Sequence, residues 1–176
     1  DPDLRDQLLA LLARDADPHQ LMKTGAVFPG RAPDTSSAIT VALDRSSGPR
    51  QFGDYRITRK ADFEIRARVL STEDYFMGRE ADLSPLDLAL GWGPMSDQAV
   101  MDKLDFTQSG RWFRWLYEGR APIPEALINS SSGNMHMIPA SGAIERQLKK
   151  IRQGDIIRLE GYLVDVDHDS GWRWRS

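Results

Sequence analysis

The chain contains no cysteine. That excludes disulfide staples, thiolate nucleophiles and cysteine-ligated zinc within these residues. No run approaches the roughly 18 to 20 apolar residues that a membrane-crossing helix needs. Positive charge is not in surplus either: 23 Lys and Arg against 26 Asp and Glu leave a formal net charge of -3. Such a balance argues against strong non-specific binding of phosphate backbones, although it leaves local basic patches open. Catalytic motifs are missing too. The chain carries no G-x-S-x-G, S-x-x-K, H-E-x-x-H, P-loop or G-x-G-x-x-G. Nor does it carry an internal repeat or a low-complexity tract.

What is present is ordinary in amount and uneven in placement. A chain of 176 residues, 40% hydrophobic and 28% charged, fits one globular domain with at most an appended arm. We divide it into residues 1–54, an amphipathic helix and extended arm, and residues 55–176, the main domain. In the arm, Leu4, Leu8, Leu11 and Leu12 recur at helical spacing, which predicts a helix over residues 3–13. Residues 25–33 are turn-rich, and residues 38–43 form a short strand candidate.

The clearest β signal is residues 55–70. There Phe63, Ile65, Ala67 and Val69 alternate with Glu64, Arg66 and Arg68. Ser84 and Pro85 match an N-cap and first helical position, which predicts a helix through Leu90 stopped by Gly91 to Pro94. Ser96 to Leu104 reads as a second helix, and Ser141 caps a third over residues 142–151. Residues 111–117 and 135–138 read as strands. A long strand follows Gly154-Asp155, with a bend expected at Gly161, and residues 169–171 turn it back into a hairpin. The expected fold class is α+β: a strongly bent antiparallel sheet or small β-barrel of OB or SH3 type, with about three short helices.

Candidate chemistry is sparse. Asp165, Asp167 and Asp169 begin a calcium-loop pattern, but Ser170 stands where the loop needs Gly and Ser176 where it needs Glu. Met135-His136-Met137 offers soft ligands, yet in a strand the two Met share one face and His136 takes the other. No metal site and no cofactor follow from these patterns. His136 is the best acid/base candidate because its ordinary pKa lies near neutrality, with Asp97 or Asp87 as a carboxylate that folding brings to it. Asn134 beside it suits orientation of a ligand. Trp92 and Gly93, in the loop Gly91 to Pro94, are the remaining ligand-binding candidates, forming with His136 a groove for a peptide or small ligand. The alternation of Trp and Arg at residues 111–115 and 172–175 raises single-stranded nucleic acid as a further partner. Against it, one face of the WRWR run is all Trp, the usual mark of a core.

Three stretches together, Ala81 to Asp97 (ADLSPLDLALGWGPMSD), Asn134 to Ala140 (NMHMIPA) and Gly154 to Val166 followed by Gly171 to Trp174, carry a resemblance. Over residues 55–176 the chain resembles a family of uncharacterised proteins from Gram-negative bacteria. Members often begin with a hydrophobic segment and continue past the WRW strand. The resemblance implies a cell-envelope location with an anchor upstream of Asp1, and it implies no activity. The opening on Asp1 and the ending on GWRWRS fit a chain that continues at both ends. The leading expectation is an envelope-associated, non-enzymatic binding or structural module. The alternatives are a hydrolase of unrecognised type using His136, and single-stranded nucleic-acid binding.

Overall fold

The computed structural model describes residues 9–15, 39–43 and 48–175. Its spine is the alternating segment seen in the sequence, drawn out into one strand of 20 residues, β4 (Tyr55–Asp74). Three short strands precede it: β1 (Leu9–Asp15), β2 (Ile39–Leu43) and β3 (Arg50–Phe52). After it come helix α1 (Arg79–Leu83), strand β5 (Leu86–Gly91), a 3-10 turn at Gly93–Ser96 and helix α2 (Gln98–Met101). The hairpin β6 (Asp105–Ser109) and β7 (Trp112–Leu116) follows, then α3 (Glu125–Ser130), β8 (Ser132–Pro139) and α4 (Gly142–Leu148). The long β9 (Ile156–His168) and the short β10 (Arg173–Trp174) close the order.

Eight strands form one sheet, and β6 with β7 forms a separate two-stranded one. Along one edge β4 pairs antiparallel with β9; along the other it meets β3, β2 and β5 in succession. β8 continues from β5, and β1 lies between β8 and β9, parallel to the first and antiparallel to the second. The outcome is α+β with a mostly antiparallel, strongly bent sheet and short helices. Among the described residues no closed barrel forms, and β2 and β3 pair only along β4, off the main course of the sheet.

Bulges decide which core each stretch of β4 feeds. A register shift at Lys60 lets Tyr55 and Ile57 join one cluster, with Tyr162, Val164, Val166 and Trp174. Beyond the shift, Phe63, Ile65, Ala67 and Val69 enter another, with Leu86, Leu88, Leu90, Met135, Met137, Ile157 and Leu159. A second shift at Leu70 turns that side chain into a third cluster beneath the β6–β7 hairpin, with Ala89, Met95 and Ile128. One extra residue on one strand reverses which face its neighbours take.

Three expectations are corrected. Residues 86–90 are a strand, not a helix, and Ser84 ends α1 instead of opening a helix. The Leu-x-Leu-x-Leu period of two was present; with both faces buried, tertiary pairing overrode the Ser-Pro cap signal. Residues 9–13, expected as helix, belong to strand β1, whose backbone pairs with β8 and β9. The irregularity expected at Gly161 of β9 falls instead on its partners, on β1 between Ala13 and Asp15 opposite Gly161, and on β4 at Lys60. Residues 3–8, residues 25–33 and Ala38 lie outside the described residues. Helix α4 forms where expected, Ser141 accepting from the Ile144 N–H at 3.3 Å.

Close packing explains Gly91. A Cβ there would stand 2.5 Å from the Met95 carbonyl oxygen and 2.8 Å from Leu70 Cδ2. The residue must therefore be Gly for the 3-10 turn to fold back onto the end of β5.

Candidate functional site

The register of β5 against β8 decides where polar groups meet. Leu86 pairs with Met137 and Leu88 with Met135, so these four apolar side chains share the inner face. Asp87 pairs with His136, and with Asn134 these polar residues share the other.

Asp87 is fully buried and draws in four side chains. Arg111 Nη1 donates to its Oδ1 at 2.6 Å, and the Tyr75 hydroxyl and Asn134 Nδ2 donate to Oδ2 at 3.2 and 3.3 Å. His136 Nδ1 stands 2.8 Å from Oδ1 but off the line of a hydrogen bond. The contact is close without being the aligned carboxylate–imidazole bond of a catalytic pair. Asn134 also donates to the Arg111 carbonyl at 3.0 Å and accepts from Gln108 Nε2 at 2.7 Å.

Arg111 is the hub of this network. It sits with Gly110 in the two-residue turn of the β6–β7 hairpin, where both residues have positive φ, 59° and 73°. That geometry matches the twist of hairpin strands and favours Gly at both places. Arg111 is the sole non-glycine residue with positive φ among the described residues. An L side chain there costs on the order of 1 kcal/mol. In return its backbone N–H donates to the Tyr75 hydroxyl at 2.9 Å and its Nη2 donates to the Ser84 carbonyl at 2.7 Å. Its guanidinium lies 3.6 Å over the Tyr75 ring. Burial, then the Asp87 charge, pushes the Tyr75 hydroxyl up to about 12.

This network forms the floor of an open groove of about 430 Å³ between the β4–α1 connection and the tip of the β6–β7 hairpin. Tyr75, Met77, Arg79, Glu80, Arg111 and Trp172 line it. Trp172 leans on Trp174 at 5.5 Å between ring centroids, and Trp174 stacks on His136 at 4.6 Å. His136 is 1% exposed, so it lies behind the tryptophan wall and does not line the groove.

The expected site residues therefore divide. Asn134 and His136 come together with Asp87. Trp92 and Gly93 follow the far end of β5, five or more residues from Asp87, which at about 3.3 Å per residue is roughly 16 Å away. Trp92 packs against the inner Leu and Met cluster, on the face of β8 opposite His136. Asp97 caps α2, accepting the Ala99 N–H at 2.8 Å. Asp165 faces Lys60 at 3.5 Å, and Asp167 is held by Arg175, which lowers its pKa. Of the tryptophans, Trp174 is buried, Trp92, Trp115 and Trp172 are packed in part, and Trp112 is exposed. Tyr75, Arg79, Arg111 and Trp172 were not singled out as groove residues. The Gly110-Arg111 pair between two β-like runs was the signal that could have placed the hairpin tip.

Comparison of the chain with protein-family models, curated proteins and solved structures finds no match.

Proposed function

We propose that this domain is a non-enzymatic binding module whose small ligand lies in the groove between Tyr75, Arg79 and Trp172. The observation that carries the reading is the floor: an open groove of about 430 Å³ rests on a buried network that fixes Arg111 and Tyr75 in place. His136, misaligned with Asp87 and sealed behind Trp174, serves that floor and does not face a substrate. Resemblance to chains that often begin with a hydrophobic segment supports placing the module at the cell envelope. Among the described residues no helix is long and apolar enough to cross a membrane.

The test uses a neutral fluorescent probe, N-phenyl-1-naphthylamine. It is expected to bind saturably at one site, and Met77→Asp should weaken it several-fold without changing the melting temperature, because Met77 is 91% exposed. Trp92→Ala should do the reverse, lowering the melting temperature and leaving the probe affinity alone. Equal binding to wild type and Met77→Asp would sink the groove assignment.

A further inference from the structure

Two arginines line the groove, and they differ in what their charge already meets. Arg111 is committed: its guanidinium is bonded to the buried Asp87 carboxylate and the Ser84 carbonyl. The nearest groove carboxylate, Glu80, stands 3.9 Å from Arg111 Nε. Arg79 is exposed and donates Nη1 to the Ser170 hydroxyl at 2.8 Å. Among the described residues no carboxylate lies in ion-pair range of it. A guanidinium in this state keeps a planar fork of donors that matches a carboxylate.

Beside Arg79, along with Glu80 and Ser170, lie apolar surfaces. Met77 is almost fully exposed, next to the largely exposed Phe76, and Trp172 offers a ring that its packing on Trp174 and Tyr55 leaves partly open. Exposed Met and aromatic side chains around a polar anchor are the usual lining of a site for an amphiphilic molecule. The two charged groups are not equivalent, since Glu80 lies 3.9 Å from a cation, Arg111, and Arg79 has no carboxylate in ion-pair range among the described residues.

We propose that the ligand is a small organic anion. Its carboxylate is held by Arg79, and its apolar or aromatic body lies across Met77 and Trp172. This rests on the groove reading above and specifies its chemistry.

The experiment compares 1-naphthylacetate with its neutral isostere 1-naphthylacetamide by calorimetric titration of the whole chain, in wild type and in Arg79→Gln. The carboxylate is expected to bind wild type about two- to fivefold tighter than the amide, the range of an exposed charge-assisted contact. Arg79→Gln should erase that difference, chiefly by weakening the carboxylate, with an unchanged melting temperature. The advantage should also shrink as salt rises, because the contact is open to solvent. Equal binding of carboxylate and amide to wild type would overturn the anion assignment while leaving the groove intact. Failure of both ligands to bind at millimolar concentration, together with no binding of the neutral naphthylamine, would overturn the groove as well. A carboxylate preference that survives Arg79→Gln would move the anion site away from Arg79 and refute the proposal.

Discussion

Replacing Arg111 by Ala and by Gly should reverse the usual order of the two residues. Asp87 has no exposed side-chain surface, and Arg111 retains 13% of its own. Removing one partner of such a pair leaves a buried charge behind and costs about 3–5 kcal/mol in comparable cases. Here Tyr75 and Asn134 still donate to the carboxylate, so the lower end, about 3 kcal/mol, is expected for Arg111→Ala. Arg111→Gly loses the same guanidinium but relieves the positive φ of 73°. Relief is worth on the order of 1 kcal/mol, which leaves a net cost of about 2 kcal/mol. Urea unfolding followed by far-ultraviolet circular dichroism measures both, given total stabilities of about 5–15 kcal/mol. Adding Asp87→Asn to the Arg111→Ala background should recover part of the loss, because the stranded charge is then gone. A Gly variant no more stable than the Ala variant would refute the strain argument. A cost below about 0.5 kcal/mol for Arg111→Ala would refute the claim that Asp87 depends on its partner.

Gly91→Ala should cost about 1–3 kcal/mol, since its Cβ would meet the Met95 carbonyl at 2.5 Å. Gly133→Ala should be near neutral, because the nearest atom, Trp92 Cη2, stands at an ordinary 3.7 Å. Melting temperatures that do not separate the two, at about 2–4 °C per kcal/mol for a chain of this size, would contradict the packing at Gly91. For Tyr75 the sign follows from its raised pKa. The folded state keeps the hydroxyl proton up to about 12, whereas the unfolded chain releases it near the ordinary value of 10. The stability present below pH 10 is therefore lost as pH rises towards 12. Tyr75→Phe should show a shallower fall of the urea midpoint between about pH 10 and about pH 12, with a residual slope from Tyr55 and Tyr117, which are also raised. Identical slopes would count against the burial of that hydroxyl.

How far the sequence was legible depended on whether a local pattern had a local cause. Strand β4 was readable because its alternation is the direct image of one buried face, and α4 because Ser141 and the Ile144–Leu148 spacing agree. Strand β10 was readable for the same reason: Trp174 is buried while Arg173 and Arg175 reach Asp167. Residues 86–90 misled because Ser84-Pro85 is a strong local helix signal. Only the pairing with β4 and β8, formed by distant chain, outweighs it. The site followed the same rule. His136 and Asp87 were nameable as polar residues among apolar ones, but their partners Tyr75 and Arg111 come from a strand end and a hairpin turn, and no spacing links them.

The Asp87 network also explains why β5 and β8 hold one register. Both strands are apolar on both sides of Asp87 and His136, so hydrophobic burial alone would tolerate a slip by one residue poorly but not uniquely. Such a slip would turn Asp87 into the cluster of Leu86, Leu88, Met135 and Met137, where no donor awaits it. The penalty for a buried, unpaired carboxylate is several kcal/mol, comparable with the total stability of a domain. In the observed register the same carboxylate meets donors from the end of β4, the hairpin turn and β8. The hairpin is seated on the sheet by that meeting as well as by Phe106, Phe113 and Trp115 beneath it. The buried carboxylate thus selects one arrangement, and that arrangement seats the Arg111 tip against Tyr75, where both line the groove.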